Sequence, residues 1–329
     1  MPHRRHLLAA ACGAAASGLG AALPSVRGAR AQGQQRFASI YMFVPAAPGG
    51  GWDGLGRAIE QAARGAGLVG NFQFENVGGA GGSVGLPRFV GQRRGRPDSL
   101  MVAGSVMVGA TLTNKTPVGI KDVTPIARLT EEAGAVVVPA SSDIRDIKGF
   151  FEALKANPGA VSVGGGSAGG TDHIALGLML KALGRSAREG SYVAFAGGGP
   201  ANAAIMGGQV KAGISGLSEF AEQIKGGRMR ALATTGAERT DPNIPTLKES
   251  GMDVVLTNWR GVFGPPGLRP DAKERLVALM TEVHALPAWK ETLKTRDWTD
   301  AFLTGPELDA FLERDRAQTE AVLKEIGLA

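Results

Sequence analysis

The stretch Phe43-Val44-Pro45-Ala46-Ala47-Pro48-Gly49-Gly50-Gly51-Trp52-Asp53-Gly54-Leu55-Gly56-Arg57 carries the fold in miniature. An apolar, strand-like run from Ile40 to Val44 enters two prolines and three glycines. Asp53 then opens a helix-like run with Leu55, Ile59 and Ala62 on one face. The first amides of a helix have no intrahelical acceptor and lie at the positive end of its dipole, and glycines let a ligand come close to that backbone. Such a turn can cradle an anion. Read locally, it is equally a plain strand-to-helix turn with Asp53 as its N-cap.

Repetition favours the cradle. Strand, Gly/Ser-rich loop and helix recur at Asn76–Ser83, at Val163–His173 and at Ala194–Pro200, so each half of the chain holds two such loops. That pattern predicts two lobes closing on something acidic. Strand-like runs at 40–44, 72–77, 100–103, 135–138, 161–163, 192–195, 210–214, 230–234 and 262–263 alternate with helix-like ones. The alternation predicts an α/β chain with mostly parallel sheets. Asp146 leads into a helix that Asn157-Pro158-Gly159 stops, Pro270-Asp271 opens a helix through His284, and Gly305-Pro306-Glu307 opens the last one. Residues 237–256, with Pro242 and Pro245, read as an irregular connection containing one short helix near Thr246–Ser250. Ser105 and Ser215 each follow a strand-like run, where ligands collect in open α/β sheets.

The N-terminus reads as an export signal. Arg4-Arg5 precedes a weakly apolar Ala/Gly run over 7–23, and Ala29-Arg30-Ala31 offers a small-residue cleavage site after Ala31. The paired arginines suit twin-arginine export, with Sec export as the alternative. A membrane span and a lipoprotein anchored at Cys12 are weaker readings, because the run is short and poor in leucine. Residues 1–31 hold four arginines and no acid, so their removal lowers the formal charge from +6 to +2. The basic balance therefore belongs largely to the signal, and no later Lys/Arg block with interleaved aromatics suggests nucleic acid. Cys12, the single cysteine, leaves with it, and His173 and His284 are the histidines that remain. Such a chain has few means of holding a metal, and no metal or cofactor is expected.

Two motifs suggest enzymes. Gly164-x-Gly166-x-x-Gly169 has the glycine spacing of a dinucleotide loop, but the acid at the right distance, Glu189, precedes the next strand-like run instead of following it. G-x-S-x-G occurs around Ser83 and around Ser167; the first lies too far past its strand for a nucleophile elbow, and the second would need His284 as base. An exported NAD(P)-dependent oxidoreductase and a serine hydrolase thus stand as alternatives. His173, at a helix start, could donate to a ligand carboxylate or bond locally. Asp53 and Asp172 are expected to cap their helices and to face the backbone, away from an anion.

Taken in order, Pro45–Arg57, Glu75–Gly82, Tyr192–Gly199, Met206–Val210 and Ile224–Ala233 resemble the extracytoplasmic solute receptors of tripartite tricarboxylate transporters, the Bug receptors. The resemblance covers essentially the whole chain after the signal. Tyr192–Gly199, Arg260–Pro265 and Trp52 are similar to the tricarboxylate-binding branch. The resemblance implies a periplasmic-binding-protein fold: two α/β lobes, a ligand cleft between them and two crossover connections. It places one lobe at 34–133 plus 237–329 and the other at 134–236. It also implies a monomeric, non-enzymatic periplasmic receptor for a small carboxylate, citrate-like in this branch, serving a large and a small membrane subunit. Carboxylates in the family are held by backbone amides and small hydroxyls. That carries over onto Gly49, Gly50, Gly51 and Trp52, and onto Gly79, Ala80, Gly81, Gly82 and Ser83. From the opposite lobe it carries over onto Ser167, Ala168, Thr171 and His173, with Gly197, Gly198 and Gly199 beside them. Arg57 and Arg260 could pair with a polyanion or lie in salt bridges.

Overall fold

Strand β4 (Thr124–Pro139), 16 residues long, ties two sheets together. The computed structural model describes residues 35–329; the expected signal over 1–31 and its cleavage after Ala31 lie outside them. The first half of β4 pairs antiparallel with β9 (Thr257–Gly264) and β10 (Thr299–Leu303). Its second half pairs antiparallel with β7 (Ala212–Gly216) and β8 (Met229–Thr234). The change falls between Ala133, opposite Thr257, and Gly134, opposite Gly216.

On the first side the order runs β2 (Val69–Asn76), β1 (Phe37–Val44), β3 (Ser99–Gly104), β9, β4; on the second it runs β4, β7, β5 (Ser162–Gly165), β6 (Ser191–Ala194). β1 is parallel to β2 and β3, and β5 to β6 and β7, whereas every pairing of β4, and that of β3 with β9, is antiparallel. The α/β class agrees with the sequence, but the sheets are mixed, not mostly parallel. Strand-loop-helix spacing reports the βαβ units and says nothing of the chain reversals that feed β4.

Burial explains the composition of β4. Its last residues are a continuous apolar run because both faces of the second sheet are covered. Val136 and Val138 enter one core with Phe150, Val163, Met179 and Ile214, while Ala135 and Val137 enter another with Ile205 and Phe220. The helices over this sheet are α4 (Ile147–Ala156), α5 (Thr171–Ala182), α6 (Gly198–Met206) and α7 (Leu217–Lys225). Asp146 caps α4 by accepting from the Gly149 amide at 2.8 Å. The first sheet is clothed by α1 (Gly51–Gly65), α2 (Leu86–Gln92), α3 (Ser105–Thr113), α8 (Pro270–Ala285) and α9 (Pro287–Thr295). Its core includes Ile40, Phe43, Leu55, Ile59, Leu276 and Trp289.

The chain returns to the first sheet through 235–256. Thr235 fastens this second crossover to the first: its Oγ1 accepts from the Gly134 amide at 2.8 Å and donates to the Leu256 carbonyl at 2.6 Å. The expected short helix near Thr246 is a turn. Thr246 and Glu249 exchange side-chain-to-backbone bonds of 2.8 and 3.0 Å, but Gly251, at φ +93°, turns the chain before a helix can follow. The last helix, α10 (Gly305–Glu325), lies along α3 and β4, and Leu323 and Ile326 at its end pack on Ile174 of α5.

Candidate functional site

Five helices, α1, α3, α5, α6 and α7, begin at one cleft lined from both sheets. Their N-caps are Gly50, Gly104, Gly170, Gly197 and Gly216, and none is capped by a side chain. In α1 the first intrahelical bond runs from the Gly54 amide to the Gly50 carbonyl at 2.9 Å, so the amides of Gly51, Trp52 and Asp53 precede the ladder. In α6 Pro200 stands within the first turn, where its missing N–H costs nothing. The result is a concave wall of backbone donors at the positive ends of several dipoles.

Of the residues expected from sequence, Gly50, Gly51, Trp52, Gly79, Gly81, Ser167, Gly197, Gly198 and Ser215 line the cleft. The two rims meet across it. The Gly81 amide donates to Ser167 Oγ at 2.5 Å, and the Ala47 amide to the Ala196 carbonyl at 3.3 Å. Gly81 sits at φ +63°, where a side chain would also overlap Ala110.

The other expected residues do not line it. Gly49 donates its amide to Asp53 Oδ2 at 3.2 Å, Ser83 donates to the Ala80 carbonyl at 2.6 Å, and Ser105 Oγ accepts from the Trp259 amide at 3.0 Å. Ala80 and Gly82 form the single turn on either side of Gly81, Ala168 lies in the loop before α5, and Gly199 is in the first turn of α6. Thr171 faces a smaller neighbouring cavity beside Gly134 and Thr235. His173 accepts at Nδ1 from the Gly169 amide at 3.2 Å and stacks on Tyr192, ring centroids 4.3 Å apart. Burial pulls its imidazole down to about 4, so it stands there neutral. Asp53 and Asp172 are not the N-caps; each accepts from a loop amide, Gly49 in one case and Gly166, at 2.8 Å, in the other. Arg57 lies outside, over the Phe74 ring and beside Asp53 and Glu60.

Of the two arginines, Arg260 is the one in the cleft wall, where it lies in salt bridges; its carboxylate partners there were not expected. Arg260, 1% exposed, bonds through Nη2 to Glu132 and, at 3.4 Å, to Glu219. Its Nε and Nη1 are buried without a partner, as is Asn258 Oδ1. Glu132 also accepts from Ser218 Oγ at 2.7 Å, and Glu219 from Ser215 Oγ at 3.2 Å. Burial works against the Arg260 charge, but the carboxylates of Glu132 and Glu219 outweigh it and hold the guanidinium above its ordinary value. Burial pushes Glu219 up to about 7, against the pull of Arg260, and Asp172 up to about 6. A carboxyl raised on folding stabilises fully below its unfolded range and loses that contribution as pH rises through the folded value. The ligand-free protein is therefore expected to melt several degrees lower at pH 8 than at pH 5, and Glu219→Gln to flatten that slope, as read by thermal denaturation across pH.

The geometry disposes of the hydrolase constellation. Ser167 is engaged by Gly81, and His284 is paired with Asp300, Nε2 to Oδ2 2.8 Å, beside Phe302 on another face of the molecule. No helix among the described residues is long and apolar enough to cross a membrane, and no His/Cys/Asp/Glu cluster among them could hold a metal.

Two α/β lobes with a cleft between them and two crossovers define a solute receptor of the periplasmic-binding-protein fold. A family model described as "Tripartite tricarboxylate transporter family receptor" matches residues 57–328. The chain belongs to this family, whose members are solute receptors and not enzymes. It is 27% identical over 260 residues to a Cupriavidus necator protein described as "UPF0065 protein in gbd 5'region", covering 78% of this chain and 77% of the relative. A solved structure titled "Structure of a periplasmic transporter" is 27% identical with a TM-score of 0.79, covering 87% of this chain and 96% of the other. A second, an R. palustris protein with adipate, is 21% identical with a TM-score of 0.79, covering 88% and 97%, and shares the fold.

Proposed function

We propose that this protein is an exported periplasmic receptor that captures a small di- or tricarboxylate, citrate-like by preference, and delivers it to the large and small membrane subunits of a tripartite transporter. The observation that carries this reading is the convergence of five glycine-capped helix starts on one cleft. Backbone donors there suit carboxylate oxygens without a ligand-specific side chain. The adipate held by the R. palustris neighbour is consistent with that chemistry.

The lobes would be 34–133 plus 237–329 and 134–236, hinging where Thr235 joins the two crossovers, with the end of α10 resting across onto α5. An open, monomeric receptor meets its ligand, the lobes close, and the closed form docks on the carrier. Gly50, Gly51 and Trp52 of one lobe, and Ser167, Gly197, Gly198 and Ser215 of the other, would hold the carboxylates. The signal at 1–31, of twin-arginine or Sec type, would deliver the chain to the periplasm.

A thermal-shift screen of residues 32–329 tests this against citrate, malate, adipate, aromatic acids, amino acids and NAD(P). Ligand at 100 times its dissociation constant adds about 2.7 kcal/mol, a shift of several degrees. A shift with a di- or tricarboxylate supports the reading. A shift with NAD(P) alone contradicts it.

A further inference from the structure

One guanidinium in the cleft wall faces three carboxyls. Arg260 is bonded to Glu132 and Glu219, and Asp172 lines the same cleft. Glu132 is the one Arg260 holds closely. Glu219 is more weakly held and stands further into the cleft, its side chain 11% exposed. A Cβ on either Gly51 or Gly198 would overlap the Glu219 carboxyl, so that carboxyl lies against the starts of both α1 and α6. It therefore stands among the amide donors that a ligand carboxylate would seek. Two ionised carboxylates cannot share such a place cheaply, and one of them takes a proton. The unpartnered Arg260 Nε and Nη1 and Asn258 Oδ1, buried in the same wall, also point to a polar ligand.

We propose that the cleft takes up a proton with its carboxylate ligand, and that Glu219 carries that proton as a hydrogen-bond donor to the ligand. This rests on the receptor reading above. The charged groups facing Glu219 are Arg260 from β9, Glu132 from β4 and Asp172 from α5. α6 carries no titratable side chain, β7 presents Ser215, and Asp53 on α1 is turned to Gly49 and Asn76. Burial already lifts Glu219 to about 7 and Asp172 to about 6, so protonating them near neutral pH asks little of the ligand. Glu219 then acts in specificity: it favours a ligand that presents an acceptor at that spot and disfavours one whose charge cannot be shared through a proton.

The test is calorimetric titration of residues 32–329 with adipate, malate and citrate between pH 6 and pH 8.5, each in two buffers of different ionisation enthalpy. Adipate and malate are fully ionised above pH 7, so protons counted there belong to the protein. The expected result is uptake approaching one proton per ligand, with affinity falling up to about tenfold per pH unit above pH 7. Glu219→Gln, a permanent donor of the same shape, is expected to bind with a flat profile and more tightly than the unsubstituted protein at pH 8. Above pH 7, adipate or malate binding without proton uptake, or with an affinity that rises with pH, overturns the proposal and leaves the receptor reading intact. If none of the three acids binds at any pH, the reading of the ligand as a di- or tricarboxylate fails and this inference falls with it. The proton count on the unsubstituted protein decides the matter even if the Gln variant does not fold.

Discussion

Arg260→Met is expected to cost the folded protein about 3–5 kcal/mol at pH 8, the range for removing one partner of a buried ion pair. The expectation follows from what is left behind. Glu132 is 2% exposed, Glu219 and Asp172 lie beside it, and Arg260 is the cation that bonds to the first two. Methionine fills much of the volume but answers none of the charge. Without the guanidinium the Glu219 and Asp172 carboxyls are pushed up further in the folded state, while those in the unfolded chain are not. The deficit is therefore present above the folded values and relieved as pH falls through them, making the variant's loss smaller at pH 5 than at pH 8. Urea midpoints at the two pH values read this directly. Adding Glu132→Gln and Glu219→Gln should restore most of the stability, because a fully neutral cluster is far less costly than an unpaired one. An equal loss at both pH values, or no recovery in the triple variant, would mean that Arg260 acts through packing alone.

Gly109→Ala is expected to leave the ligand-free protein as stable as before, or slightly more so, and to weaken ligand binding roughly 5- to 150-fold, equivalent to about 1–3 kcal/mol. Gly109 lies within α3, where alanine gains about 0.5–1 kcal/mol over glycine in helix propensity. A Cβ at this position would overlap the carbonyl oxygen of Gly169, in the loop that leads into α5. α3 follows β3 of the first sheet and the loop follows β5 of the second, so the added methyl stands where the two sides approach each other. If that approach is made on closure, the open form does not feel the methyl, and the penalty of overpacking falls on the closed one. Melting temperature and affinity measured together separate the cases. Lower stability with unchanged affinity would show the contact to be permanent.

The sequence displayed the backbone of the site better than its charges. Glycine loops are legible because the constraint is local. Gly49, Gly81, Gly169 and Gly197 take positive φ angles that other residues rarely adopt, and the helix that follows announces itself by its apolar spacing. Glu219 offers no such signal. In Leu217-Ser218-Glu219-Phe220-Ala221-Glu222 it reads as one polar residue on an amphipathic helix, and its meaning comes from Arg260 and Glu132, which lie far away in the chain. Asn258 is likewise silent until β9 is placed between β3 and β4.

The first half of β4 was hidden for the same reason. Arg128, Thr130, Glu131 and Glu132 look like surface, yet Thr130 and Glu132 are buried, Glu132 against Arg260. β10 is a short, half-exposed edge whose pairing with β4 is interrupted by a register shift. Ser83 and Ser105 show the converse. Each had the right residue type at a strand end or loop, but each spends its hydroxyl on a backbone group, the Ala80 carbonyl or the Trp259 amide.

The central claim is that backbone amides at converging helix starts hold the ligand carboxylates. It is tested most directly by amide-resolved NMR of residues 32–329 titrated with the carboxylate that gives the largest thermal shift. The account predicts the largest shifts, and new protection from solvent exchange, at Gly51, Trp52 and Gly198, on both sides of the cleft at once. Shifts confined to one side, or centred on surface arginines such as Arg57, would contradict it.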